Sequence, residues 1–170
     1  MKRRDALALA AAPLVVPSGP AWAAPAQTGQ RVDWPDVTLL DGERLGAAQL
    51  RSLPAVVVFW TTTCPFCRRH NQHVEKLHRA AVAAGSNLRV LGAAREKDPA
   101  LVARYARQQG YTFPITLDHA VLAAALSERK LIPQTAVVDA QGRLQQVLPG
   151  EMFEEDVLEL LALARKGVRS

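Results

Sequence analysis

Residues 55–70 read AVVVFWTTTCPFCRRH. The first six form a continuous apolar, β-branched run. That length suits a strand buried on both faces, as at the centre of an α/β sheet. Both cysteines of the chain, Cys64 and Cys67, follow at once. Pro65 stands where a helix would begin, a place that tolerates proline because the missing N–H has no partner there anyway. Val74, Leu77, Ala81 and Val82 then recur at helical spacing, and Gly85 closes the helix. The local reading is strand, Cys-x-x-Cys, helix.

Cysteines this close make a poor structural staple, because chain-entropy stabilisation grows with loop length. A chain of 170 residues, about half of them apolar, can bury a core without one. Redox chemistry uses the pair better. The attacking species is the thiolate, and the unpaired N–H groups and positive dipole end at a helix start favour that form at Cys64. Cys67, one turn on, is placed to attack the mixed disulfide that Cys64 forms. Cys64 is thus the candidate nucleophile and Cys67 the resolving thiol. A metal site is the rival reading. Structural zinc usually takes four ligands, but Cys64, Cys67 and His70 could hold Cu(I). His70 could instead tune the thiol pair. His73 and His78 read as solvated helix surface, and His119 as loop or cap.

Outward from this stretch, Asp36–Leu40 reads as a short strand, Asp41-Gly42 as a turn and Arg44-Leu45 as the returning strand. Ala47 to Arg51 is one possible helical turn. Leu88–Ala94 is a strand. Asp98-Pro99 opens a helix through Gln109, with Gly110 as its stop. Phe113–Leu117 is strand-like, Asp118 can cap a helix over Ala120–Leu126, and Thr135–Asp139 with Arg143–Leu148 reads as a hairpin. Glu154–Lys166 is the last helix, acidic early and basic late as its dipole favours. The order implies a mixed α/β domain with a buried sheet over residues 35–170.

The first 23 residues read as a signal peptide. Lys2, Arg3 and Arg4 precede the mostly apolar Ala6–Val16, and Ala21-Trp22-Ala23 offers small residues to a signal peptidase. The apolar run is shorter than the roughly 20 residues a spanning helix needs. Arg3-Arg4 partly resembles a twin-arginine signal, with Ala6 where a bulky residue is usual. Residues 24–34 (APAQTGQRVDW) read as a tether. The formal net charge of +5 is modest and the basic residues are scattered, which does not argue for nucleic acid. Export would place the cysteines in an oxidising compartment.

Three stretches carry a family resemblance. VVVFWTTTCPFCRR resembles the strand, active site and helix start of the thioredoxin-fold TlpA/ResA-like proteins, which are exported thiol–disulfide oxidoreductases. REKDPALVARYARQQGYTFPITLD resembles the helical insertion of that group, and LIPQTAVVDAQGRL its loop and hairpin. With the N-terminal hairpin they cover roughly residues 35–165. The resemblance implies a central mixed sheet flanked by helices, with an N-terminal β-hairpin and an inserted βα segment. It implies that Pro133 is cis beside the cysteines, with Ile132 contacting an extended substrate strand and Phe66 and Trp60 supplying an apolar surround. It further implies a periplasmic protein acting on protein disulfides, recharged by a membrane-embedded partner, as a reductase in cytochrome c maturation or copper-centre assembly. No organic cofactor is indicated.

The chain departs from the family's pattern in places. Thr63 stands where the family commonly has Trp before the first cysteine. Val58 stands where thioredoxin has a buried acid, and His70 where these relatives often have Glu. A neutral imidazole could accept the proton of Cys67. The Pro65-Phe66 dipeptide looks more like the Pro-aromatic pair of glutaredoxins. A disulfide-forming oxidase and a copper chaperone remain alternatives with the same cysteines.

Overall fold

A computed structural model of the chain describes residues 25–127 and 131–162. The expected signal segment and the end of the last expected helix, including Ala164, Arg165 and Lys166, lie outside them.

The run Ala55–Trp60 forms β3, and every one of its residues is buried. Four other strands flank it in the order β5-β4-β3-β6-β7, where β4 is Arg89–Ala94, β5 Ile115–Thr116, β6 Gln134–Val138 and β7 Leu144–Pro149. β3 pairs in parallel with β4, and β4 with β5. It pairs antiparallel with β6, which pairs antiparallel with β7. The sheet is therefore mixed. A separate hairpin joins β1 (Val37–Thr38) to β2 (Arg44–Leu45). Its turn uses Gly42 at φ +89°, a conformation that disfavours any Cβ.

Alternation along β3 divides the core. Val56, Val58 and Trp60 face α2 (Pro65–Ala83), α3 (Pro99–Gln109) and α5 (Glu154–Glu159), through Val74, Leu77, Val102 and Val157. Ala55, Val57 and Phe59 face α4 (His119–Leu126) and the N-terminal segment, through Leu122, Leu126, Trp34 and Leu50. Leu50 belongs to the single-turn α1 (Ala47–Arg51). Asp98 caps α3 through Ala100 N at 2.8 Å, and Gly110 ends it at φ +73°, as the sequence signals require.

Two expectations change. The stretch expected as a tether packs on the domain over its described residues 25–34. Ala26 N–H donates to Ala125 O, Gly29 N–H to Leu144 O and Val32 N–H to Gly142 O at 2.7–3.0 Å. Val32 and Trp34 are buried. The polar composition reads as solvated, yet its few apolar side chains close the sheet's second face. Asp118, expected to cap α4 with its side chain, instead accepts Thr38 N–H at 2.7 Å and ties the hairpin to that helix.

Candidate active site

Cys64 is the N-cap of α2 and Pro65 opens the helix. Both cysteines are free thiols, Cys64 half-buried and Cys67 fully buried. Cys67 N–H donates to Cys64 Sγ at 3.2 Å, so a backbone donor faces the charge that sits on that sulfur when it attacks or leaves. Burial, and then the contact with Cys64, push the Cys67 thiol up to about 12. One sulfur is reachable and the other is held protonated in the core, the asymmetry a nucleophile and a resolving thiol require.

The loop before Cys64 is clamped by a residue the sequence reading did not single out. Glu96 Oε1 accepts from Thr61 Oγ1 at 2.5 Å, Thr62 N at 2.9 Å and Thr62 Oγ1 at 2.7 Å. Arg95 N–H donates to Trp60 O at 2.8 Å. Burial pulls the Glu96 carboxyl up, but the Thr61 and Thr62 donors outweigh it and hold the group below the usual carboxylate range. The available signal was position: Glu96 follows the C-terminal end of the strand paired with β3.

Thr63, Pro65 and Phe66 are exposed around the pair, Phe66 by 56%. The Arg69 guanidinium lies 4.9 Å from the Phe66 ring centroid and grips Glu151 with two bonds of 2.8 and 2.7 Å. The ring is thereby held at the surface. Trp60, expected beside it, is wholly buried. The pleat of β3 turns it inward under α2, against Tyr105 at 5.8 Å and Tyr111 at 6.0 Å between ring centroids. It supports the site from behind and cannot touch a substrate.

The Ile132–Pro133 peptide is cis. Phe59 pairs with Gln134, so the register brings Pro133 beside the end of β3 from which the cysteine loop departs. Pro133 is buried and Ile132 half-buried, packed on both halves of the core.

His70 is buried and does not serve the thiols in the manner expected. Met152 N–H donates to its Nδ1 at 3.2 Å. Nε2 must then carry the proton, which it gives to Thr135 Oγ1 at 2.9 Å. Burial, and then the neighbouring His73, lower its pKa to about 4. With the lone pair engaged by a backbone donor, His70 is neither poised to take the proton of Cys67 nor arranged with both sulfurs around Cu(I). Among the described residues no three His, Cys, Asp or Glu side chains are grouped to hold a metal ion. His73, expected to be solvated, is half-buried with Nδ1 3.4 Å from Glu154, and His78 is half-buried too. His119, expected as loop or cap, is the first residue of α4, with Nδ1 3.2 Å from Leu117 O in the turn before it.

With this geometry in place, the relatives can be compared. The sequence profile of the Redoxin family matches residues 27–161. The chain belongs to that family. It is 28% identical to the thiol-disulfide oxidoreductase ResA of Halalkalibacterium halodurans over 127 residues, covering 74% of this chain and 70% of ResA. It is 27% identical to the thioredoxin-like protein YneN of Bacillus subtilis over 139 residues, covering 81% and 80%. A secreted thiol-disulfide isomerase from Corynebacterium glutamicum superposes with a TM-score of 0.70 at 24% identity, covering 80% of this chain and 86% of that one. A secreted Mycobacterium tuberculosis disulfide oxidoreductase gives 0.64 at 20%, covering 75% and 93%. At such identities these structures show a shared fold, the thioredoxin-like fold expected from the three sequence stretches.

Proposed function

We propose that this thiol–disulfide oxidoreductase works outside the cytoplasm as a reductase of protein disulfides, with Cys64 and Cys67 as its only redox group. The observation that carries the reading is the asymmetric pair: a reachable Cys64 at a helix start and a buried, protonated Cys67 one turn on, beside a cis-proline loop. The Cys64 thiolate attacks one sulfur of a client disulfide, that S–S bond breaks, and a client thiolate leaves. Cys67 then attacks Cys64 Sγ, its proton passes to the departing second client thiolate, and the client leaves reduced by two electrons. The Cys64–Cys67 disulfide is returned to the dithiol by a membrane-embedded thiol donor. The client lies as an extended strand along Ile132 and Pro133, held by backbone hydrogen bonds, with Phe66 against its side chains. Proteins of cytochrome c maturation or copper-centre assembly are the clients that the family resemblance implies.

The reductive direction is the one that the family resemblance implies. Equilibration with glutathione or dithiothreitol buffers tests the direction. A potential near or below about −270 mV supports a reductase, and one near −120 mV makes the protein an oxidase. The Cys67→Ser variant should accumulate a mixed disulfide at Cys64 with client proteins, and Cys64→Ser should not. Trapping through Cys67 instead would reverse the assigned roles.

A further inference from the structure

The bonds of His70 belong to a closed circuit. From α2, His70 Nε2–H reaches Thr135 Oγ1 at 2.9 Å, two residues after Pro133. On the other side Met152 N–H reaches His70 Nδ1 at 3.2 Å. The circuit closes because Gly150 N–H donates to Pro133 O at 2.8 Å, two residues before Met152. Three segments are joined: the helix that starts at Cys64, the cis-proline loop entering β6, and the turn from β7 to α5. The Arg69–Glu151 pair seals the outside of that turn and carries Phe66 with it. The charged and titratable neighbours of the imidazole are His73, on its own helix, and Glu151, on the turn.

We propose that His70 is a positioning residue for substrate docking, the cross-brace that sets the distance between Cys64 and the backbone of the Ile132–Pro133 loop. This rests on the protein-disulfide reading above. A client strand along that loop must present its sulfur to Cys64, and small misplacements of reacting groups are costly. Removing the imidazole frees the loop and the turn to shift relative to α2. Both nitrogens are needed, one as donor and one as acceptor, which explains a neutral imidazole in this position and assigns it no proton transfer.

The test uses the full-length chain with insulin as the protein-disulfide probe and dithiothreitol for recycling. His70→Ala and Thr135→Val should each raise KM about tenfold with kcat changed less than twofold. Thr135→Ser, which keeps the hydroxyl, should restore the wild-type KM. In His70→Ala the Met152 and Gly150 amides should exchange faster with solvent. A fall in kcat at unchanged KM would assign His70 to the chemistry and overturn the inference, as would unchanged kinetics in all variants. If His70→Ala fails to fold, the Thr135 pair decides alone. A wild-type chain that turns over no protein disulfide refutes the protein-disulfide reading and takes this inference with it. Wild-type turnover with unaltered variants refutes this inference alone.

Discussion

Cys64 and Cys67 differ by three positions in sequence and by almost everything in environment. Iodoacetamide at pH 8 should therefore label Cys64 and leave Cys67 in the folded protein, as read by peptide mass spectrometry; equal labelling would contradict the burial that holds Cys67 protonated. His70 gives a second residue-scale prediction. Its folded pKa, lowered to about 4, lies below the ordinary 6.5 of an unfolded histidine. Between those values the unfolded chain binds more protons, so stability falls as pH drops from 6.5 to 4. The contribution is fully present above pH 6.5, and its loss amounts to on the order of 3 kcal/mol by pH 4. Urea unfolding at pH 7.5, 5.5 and 4.5 should show it, with a shallower slope in His70→Gln. Some slope should persist in that variant, because burial lowers His78 in the same direction. Glu96→Ala removes the acceptor for three donors of the cysteine loop and should cost about 1–3 kcal/mol, since the donors it leaves are partly buried. Differential scanning calorimetry of the variant measures it.

At the scale of elements, β4 and α2 are pinned by small-residue fit and by one buried acid. A Cβ on Gly92 would lie 2.7 Å from Phe113 Cε2 and 3.0 Å from Trp60 Nε1. Gly92→Ala should destabilise by about 1–3 kcal/mol, the range for overpacking a dense core, and denaturant melts would read it. Gly92 thus leaves room beside β4 for the rings of Phe113 and Trp60. Glu75 on α2 is 5% exposed. It accepts from Thr112 N and Oγ1 at 2.6 Å each and from Arg79 Nε at 2.6 Å, tying α2 to the turn before β5. The elements themselves were largely legible. The apolar run of β3, the Asp98-Pro99 start and Gly110 stop of α3, and Pro65 at the head of α2 are local signals read at the right places. Their contacts were not. Nothing in Glu96, Thr135 or Met152 marks it as a partner of the site, because each is brought there by strand pairing and helix packing across distant parts of the chain.

Across the whole molecule, the segment before the first hairpin completes one face of the sheet. Trp34 is 3% exposed and joins Phe59, Leu122 and Leu126. Trp34→Ala should cost about 3–5 kcal/mol, as for other buried aromatic truncations. The reverse result, a stability change within about 0.5 kcal/mol as at a neutral surface site, would return residues 25–34 to the role of a tether. What the sequence by itself determined was the chemistry and the fold: the Cys-x-x-Cys pair, its place between a buried strand and a helix, and the α/β order, all written in patterns a few residues long. What only the tertiary structure decided was the duty of single side chains. Trp60 became a buried support because the pleat of β3 turns it inward. His70 became a brace because Thr135 and Met152 arrive at its two nitrogens from elements far away in sequence. Periodicity and spacing record a residue's neighbours along the chain, and a hydrogen bond across the core is set by neighbours in space.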